Sequence, residues 1–211
     1  MKYKIEKIPL YSDYNSVVDV MEKKVQDVID SKSLETIYLV EHDHVITMGS
    51  SAKLNELKND SKIPLIKTGR GGKLTYHGPG QRVVYLVINL NDKIWSKNLK
   101  KYLNFLHELV IETLAEFNIK AHSRDDHVGV WVNDGIQDSK IAAIGIRARK
   151  WVVFHGFAVN INTDLSKYSS FVPCGISDLG VTSLKNLGVN ISIDNFDDAL
   201  IKIFNKKIID L

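Results

Sequence analysis

Three extended segments follow one another with no room for a helix between them: 128–133 (VGVWVN), 140–147 (KIAAIGIR) and 151–161 (WVVFHGFAVNI). The short pieces Asp134–Gly135 and Arg149–Lys150 read as hairpin connections. Strands joined this tightly must run antiparallel, because a parallel pair needs a crossover of roughly a dozen residues or more. Elsewhere strands and helices do not alternate regularly. An α+β fold with a mixed, largely antiparallel sheet packed with helices is therefore expected, and a doubly wound parallel sheet is disfavoured.

The remaining elements fit this frame. Tyr14, Val17, Val18, Met21, Val25, Val28 and Ile29 recur at helical spacing across 14–29, with charged residues largely between them. Strands are expected at 36–40, 44–48 and 63–67, and the apolar run 83–90 (VVYLVINL) reads as a buried strand. A helix over 97–118 carries the stripe Leu99, Tyr102, Leu103, Leu106, Leu109, Val110, Leu114 and Phe117. A last helix near 195–208 buries Phe196, Leu200, Ile203 and Phe204.

With 211 residues, 44% of them hydrophobic, the chain can bury one core of ordinary size, so one domain over 1–211 is expected. No apolar stretch approaches the length of a membrane span, and residues 1–10 lack the apolar centre of a signal peptide. A single cysteine excludes an internal disulfide and favours a reducing, cytoplasmic location. The net charge of +3 is mild and spread out, which favours an acidic partner weakly and falls short of a nucleic-acid footprint.

Two features carry chemistry. The segment 69–81 (GRGGKLTYHGPGQ) holds five glycines and a proline, and reads as a loop broken by a short extended piece at Lys73–His77. Free backbone N–H groups in such a loop can form a nest for phosphate or a developing oxyanion, yet the spacing fits neither a Walker A loop nor GxGxxG. Arg70, Thr75, Tyr76, His77 and Gln81 add functional groups that a plain turn does not need. The second feature is Cys174, between Pro173 and Gly175. A lone cysteine is more often a small buried hydrophobe. To act as a nucleophile it needs a base or cation nearby, for which His77 and Lys140 are both candidates. His42 and His44, and His122 and His127 in a polar stretch, have no metal-ligand spacing and read as surface or structural, and no GxSxG elbow is present. The residues alone thus suggest a cysteine-dependent acyl or group transfer.

The run Arg70-Gly71-Gly72-Lys73-Leu74-Thr75-Tyr76-His77-Gly78-Pro79-Gly80-Gln81 resembles the Arg-Gly-Gly-x-apolar-Thr-aromatic-His-x-Pro-Gly-Gln pattern of lipoyl(octanoyl) transferases. Three further segments match that family in order: Lys140–Gly145, His155–Asn160, and Pro173-Cys174-Gly175 followed by Val181–Leu184. His44 stands where proline is common, and Ala142–Ala143 replace slightly larger or polar residues. The resemblance implies the fold of lipoate–protein and biotin–protein ligases, with Cys174 as nucleophile and Lys140 as the group that lowers its pKa or serves as base. It further implies an acyl site lined by Arg70–His77, with His77 near the reacting carbonyl, and completed by Ala143, Ile144 and Gly145 and by Gly156, Phe157 and Ala158. The donor would be octanoyl-acyl carrier protein. The acceptors would be lipoyl domains of 2-oxo-acid dehydrogenases and the glycine cleavage H protein. A monomer is expected, with no cofactor, metal, nucleic acid or membrane. An ATP-dependent ligase on the same fold, a transferase between carrier domains and a non-catalytic relic are the rivals. Pro173-Cys174-Gly175 speaks against the first, and the intact Arg70, His77, Lys140 and Cys174 against the last.

Overall fold

The computed structural model of the chain describes residues 2–58, 62–133, 135–171 and 180–209. In chain order the elements are β1 (Tyr3–Lys7), α1 (Tyr14–Ile29), β2 (Glu35–Val40), β3 (Val45–Met48), β4 (Leu65–Lys67), β5 (Leu74–His77), β6 (Gln81–Asn89), α2 (Leu99–Ala115), β7 (Ala121–Ser123), β8 (Val130–Asn133), β9 (Asp138–Arg149), β10 (Val152–Asn160), β11 (Gly180–Val181) and α3 (Ile193–Ile209). Short 3-10 turns lie at Leu54–Glu56 and Leu165–Ser170.

The large sheet runs β1-β2-β6-β10-β9-β8-β7, antiparallel throughout except for the parallel β1–β2 pair at its edge. β11 adds a second parallel contact, to the start of β9. A small sheet, β4-β3-β5, mixes one parallel and one antiparallel pair. The expected α+β fold with mixed, largely antiparallel pairing is what forms.

Alternation along the central strands sorts the core into two layers. Ile37, Leu39, Val84, Leu86 and Ile88 face α2 and α3, whereas Tyr38, Val40, Val83, Tyr85 and Val87 face the Tyr14, Val17, Met21, Val25 and Val28 stripe of α1. Asp13 caps α1 by accepting from Ser16 N at 2.9 Å, and Asn98 caps α2 by accepting from Lys101 N at 2.9 Å. β10 pairs with β9 only from Ala142 onward, while β11 pairs with Ser139 and Lys140. The other edge of β9 is occupied there by β8, so β11 takes over the edge that β10 leaves. Lys140 lies at that seam, in register with Trp131 on one side and Val181 on the other.

One half-buried carboxyl gives the fold a pH dependence. Glu35 accepts from Asn89 N at 2.7 Å, and burial pushes its pKa up from 4.5 to about 7. The folded-state value exceeds the unfolded one, so no penalty exists below about 4.5, stability is lost as pH rises toward 7, and the loss stays constant above. Glu35→Gln keeps the acceptor and removes the charge. It should raise urea-unfolding stability by about 1–2 kcal/mol at pH 8 and by almost nothing at pH 4. Equal differences at both pH values would show that Glu35 is not ionised against burial.

Candidate active site

The site opens where two neighbouring strands carry no side chain. Gly145 on β9 and Gly156 on β10 are paired in register. A Cβ at Gly156 would stand 2.3 Å from Val84 O, and one at Gly145 would stand 3.0 Å from Gly71 O. The first contact is with main chain that cannot yield, so position 156 demands glycine. The glycine loop crosses above, tied down by Gly71 N donating to Ile146 O at 2.9 Å. Between loop and sheet lies a cavity of about 240 Å³.

The cavity wall contains Arg70, Gly72, Lys73, Leu74, Thr75 and His77 from the loop and β5, Lys140, Ala143, Ile144 and Gly145 from β9, and Gly156, Phe157 and Ala158 from β10. Two residues expected there are elsewhere. Gly71 spends its N–H on Ile146 and its carbonyl on Arg70 Nη1. Tyr76 is sent by strand alternation into the small sheet's own core with Ile46, Leu74 and Phe171, where its hydroxyl meets His44 Nδ1 at 2.6 Å. His44 thus has a structural partner at the position where the resembled family often has proline. Arg70 is committed to the scaffold as well: it donates to Thr47 Oγ1 at 2.7 Å, Thr47 O at 2.8 Å and Gly71 O at 2.9 Å.

Lys140 is half-buried at the cavity's edge. Its Nζ donates to Val128 O at 3.0 Å and lies 4.6 Å from the centre of the Trp131 ring. Cys174 lies outside the described residues. Phe171, just before its segment, and Val181, one residue past Gly180 on the far side, both line the cavity.

Periodicity did not single out the aromatic and imidazole cluster at one side of the cavity. Tyr14 reads as one of a helical stripe and Tyr85 as one of an apolar run, and both do bury, yet both also line the cavity. His42, read as surface or structural, is fully buried, with Nε2 2.8 Å from Tyr85 Oη and Nδ1 3.1 Å from Ser12 O. His155 has φ of 62° in the middle of β10. Strand alternation would send its ring to the α2–α3 face; the left-handed backbone instead sets it edge-on against Tyr85 at 5.6 Å, in the cavity wall. His122 stands on β7 rather than in a loop and contacts Asp138 at 3.1 Å.

Burial holds the imidazoles of His42, His77 and His155 neutral. His42 is pushed down to about 4, and His155 to about 3 by burial and by the nearby Arg70 and Arg147 charges. His77 lies well below the usual histidine range, chiefly through burial. A ring that stays neutral cannot serve as the cation beside a thiolate. Of the two activators open from sequence, this leaves Lys140 as the candidate cation, and limits neutral His77 to the part of a base or hydrogen-bond partner. Among the described residues no group of three or more His, Cys, Asp or Glu side chains is placed to hold a metal ion, and no helix is long and apolar enough to cross a membrane.

Comparison with known proteins gives a consistent result. The sequence matches the lipoyl protein ligase A/B catalytic domain over residues 13–205. It is 48% identical to an octanoyltransferase of Rickettsia peacockii (strain Rustic), covering 94% of this chain and 96% of that one. An octanoyltransferase of Ehrlichia chaffeensis is 43% identical, with 98% and 95% covered. Among solved structures, a bi-partite lipoate protein ligase from Thermoplasma acidophilum superposes with a TM-score of 0.74 at 18% identity, covering 98% of this chain and 83% of that one. Biotin protein ligase from Aquifex aeolicus superposes with a TM-score of 0.54 at 15% identity, covering 96% and 68%. At such identities the likeness establishes the fold.

Proposed function

This chain belongs to the lipoyl protein ligase A/B catalytic domain family, and from that premise we propose that it is an acyltransferase moving an octanoyl group from a carrier-protein thioester to a lysine of a lipoyl domain through Cys174. The observation that carries the proposal is the cavity beside Lys140. Its wall is largely apolar, its floor is opened by the Gly145–Gly156 pair, and Phe171 before the Cys174 segment and Val181 after it both border it.

In the first step the Cys174 thiolate attacks the octanoyl thioester carbonyl. A new C–S bond forms, the old one breaks, and the carrier's thiolate leaves and takes up the proton of the Lys140 ammonium, which is left as the neutral amine. Lys140 as an ammonium favours the attacking thiolate. In the second step the lysine amine attacks the acyl-enzyme. The C–N bond forms, Cys174 leaves as thiolate, and the amine's proton passes to neutral Lys140 or to solvent. Exchange between two thiols is nearly isoenergetic, while the amide is far more stable, so the second step drives the sequence. Ala143, Ile144, Phe157 and Ala158 offer an apolar wall to the chain, where each buried methylene is worth about 0.8 kcal/mol. Backbone N–H groups of the glycine loop are suited to the carbonyl oxygen.

The donor in this reading is octanoyl-acyl carrier protein, and the acceptors are lipoyl domains of 2-oxo-acid dehydrogenases and the glycine cleavage H protein. Residues 1–211 act as one catalytic domain and a monomer suffices. A working thiolate suits a reducing, cytoplasmic setting. The thioester is already activated, so ATP and metal are not required.

The test is an intact mass spectrum after mixing with octanoyl-acyl carrier protein and no acceptor, beside Cys174→Ala. A hydroxylamine-labile octanoyl adduct on the wild type alone, cleared by adding a lipoyl domain, is the expected result. Octanoylation of an acceptor without any adduct, or only with ATP and free octanoate, would replace the covalent route with direct transfer or ligation.

A further inference from the structure

The hydrogen bonds around His77 fix its proton as well as its place. Nδ1 lies 2.7 Å from Gln81 Oε1. Gln81 Nε2 lies 3.1 Å from Tyr76 O and 2.9 Å from Asn160 Oδ1, and Asn160 Nδ2 lies 3.1 Å from Thr182 O. Carboxamide orientation is normally inferred from its network, and here two main-chain carbonyls decide it, because a carbonyl can only accept. Thr182 O requires the NH₂ of Asn160, which turns Asn160 Oδ1 toward Gln81. Tyr76 O and Asn160 Oδ1 both require the NH₂ of Gln81, which turns Gln81 Oε1 toward His77. Nδ1 must then carry the ring's proton, and Nε2 of the neutral ring is left as a lone pair.

The same carboxamide joins the glycine loop to both flanks of the segment bearing Cys174. Tyr168 Oη donates to Asn160 Oδ1 at 3.2 Å on one side, and Thr182 O accepts from Asn160 Nδ2 on the other. Leu184 N also donates to Asn160 O at 3.0 Å.

We propose that Gln81 and Asn160 are positioning residues for acyl transfer, holding His77 as a hydrogen-bond acceptor toward the cavity and tying it to the chain on either side of the Cys174 segment. The inference rests on the transfer reading above. A ring held in this way cannot donate to an oxyanion at the reacting carbonyl. It can accept from the N–H of an incoming amine, so its influence falls on the second step.

The experiment separates the two half-reactions. Acylation by octanoyl-acyl carrier protein and discharge to a lipoyl domain are timed for wild type, Gln81→Leu, Gln81→Glu and Asn160→Asp. Nitrogen-15 shifts of the His77 ring are recorded in the free protein. The free wild type should show an unprotonated Nε2, and a protonated Nε2 would overturn the proposal before any kinetics. Gln81→Leu should slow discharge about 10²-fold with little change in acceptor KM. Gln81→Glu keeps an acceptor against Nδ1–H but adds charge that raises the ring's pKa. Its discharge should stay close to wild type at high pH while its acid limb moves up by about one unit or more. Asn160→Asp, without the donor to Thr182 O, should slow both half-reactions. A merely structural role would lower activity alike at every pH, so an unmoved acid limb in Gln81→Glu also overturns the proposal. A wild type that never acylates at Cys174 sinks the transfer reading instead, and leaves the ring's tautomer as the deciding measurement for the relay.

Discussion

Truncation of Lys140 to alanine is expected to lower octanoyl transfer by about 10²–10⁴-fold, the range for loss of a positioned proton-transfer or charge-stabilising group. The size follows from what would be left. His42, His77 and His155 are kept neutral by burial, and Arg70 is committed to Thr47 and Gly71. Lys140 is held over Trp131 by Val128 O, in register with Val181, where the chain returns from the Cys174 segment. Its two possible roles separate on Lys140→Arg, which keeps a cation and cannot give up its proton. If the arginine variant keeps the wild-type pH profile of iodoacetamide alkylation but fails to discharge, Lys140 works as the base. If it keeps both, the charge alone suffices. Lys140→Ala with an unchanged alkylation profile and near-normal turnover would remove Lys140 from the mechanism.

Which parts of this site can be read from a sequence depends on how the signal is encoded. The antiparallel run β8–β9–β10 is legible because tight connections leave no alternative, and α1 because its stripe is long and capped. Even so, the β9–β10 turn sits one residue later than its composition suggests. Lys150 and Trp151 both take positive φ there, 48° and 66°, with neither glycine nor asparagine to announce it. β1, β7 and β11 are short and rely on their partners: three of the five residues in Tyr3–Lys7 are charged, and Gly180–Val181 is a strand only because β9 lies beside it. The glycine loop stands out for carrying functional side chains a turn does not use. Tyr14, Tyr85 and His42 do not stand out, since burial against a core and burial against a cavity leave the same periodicity. His155 is hidden for a sharper reason, because a single left-handed residue reverses which face of the strand it serves.

On the opposite face of the sheet, Asp197→Ala should cost about 3–5 kcal/mol, the usual penalty for stranding one member of a buried ion pair. Arg82 reaches from β6 to fully buried Asp197 on α3 in a two-pronged contact, Nε to Oδ1 at 2.8 Å and Nη2 to Oδ2 at 3.0 Å. Lys7 on β1 adds a third contact at 3.1 Å and pairs with Asp194 at 2.8 Å, and these hydrogen bonds hold its pKa above the usual lysine value. Removing Asp197 leaves the Arg82 guanidinium, only 3% exposed, without its carboxylate. Against a typical total stability of roughly 5–15 kcal/mol, that loss is large enough to populate unfolded chain at moderate temperature. The pair's net worth is another matter, because desolvating two charges consumes most of their attraction. Arg82→Met combined with Asp197→Leu should therefore recover most of what the single variant loses. Lys7→Ala, at a half-exposed position, should cost less than about 1 kcal/mol. Urea-denaturation midpoints of the four proteins decide the matter. A double variant as unstable as Asp197→Ala would mean that the pair supplies net stability, and a single variant within 1 kcal/mol of wild type would mean that α3 can shift and let water reach Arg82.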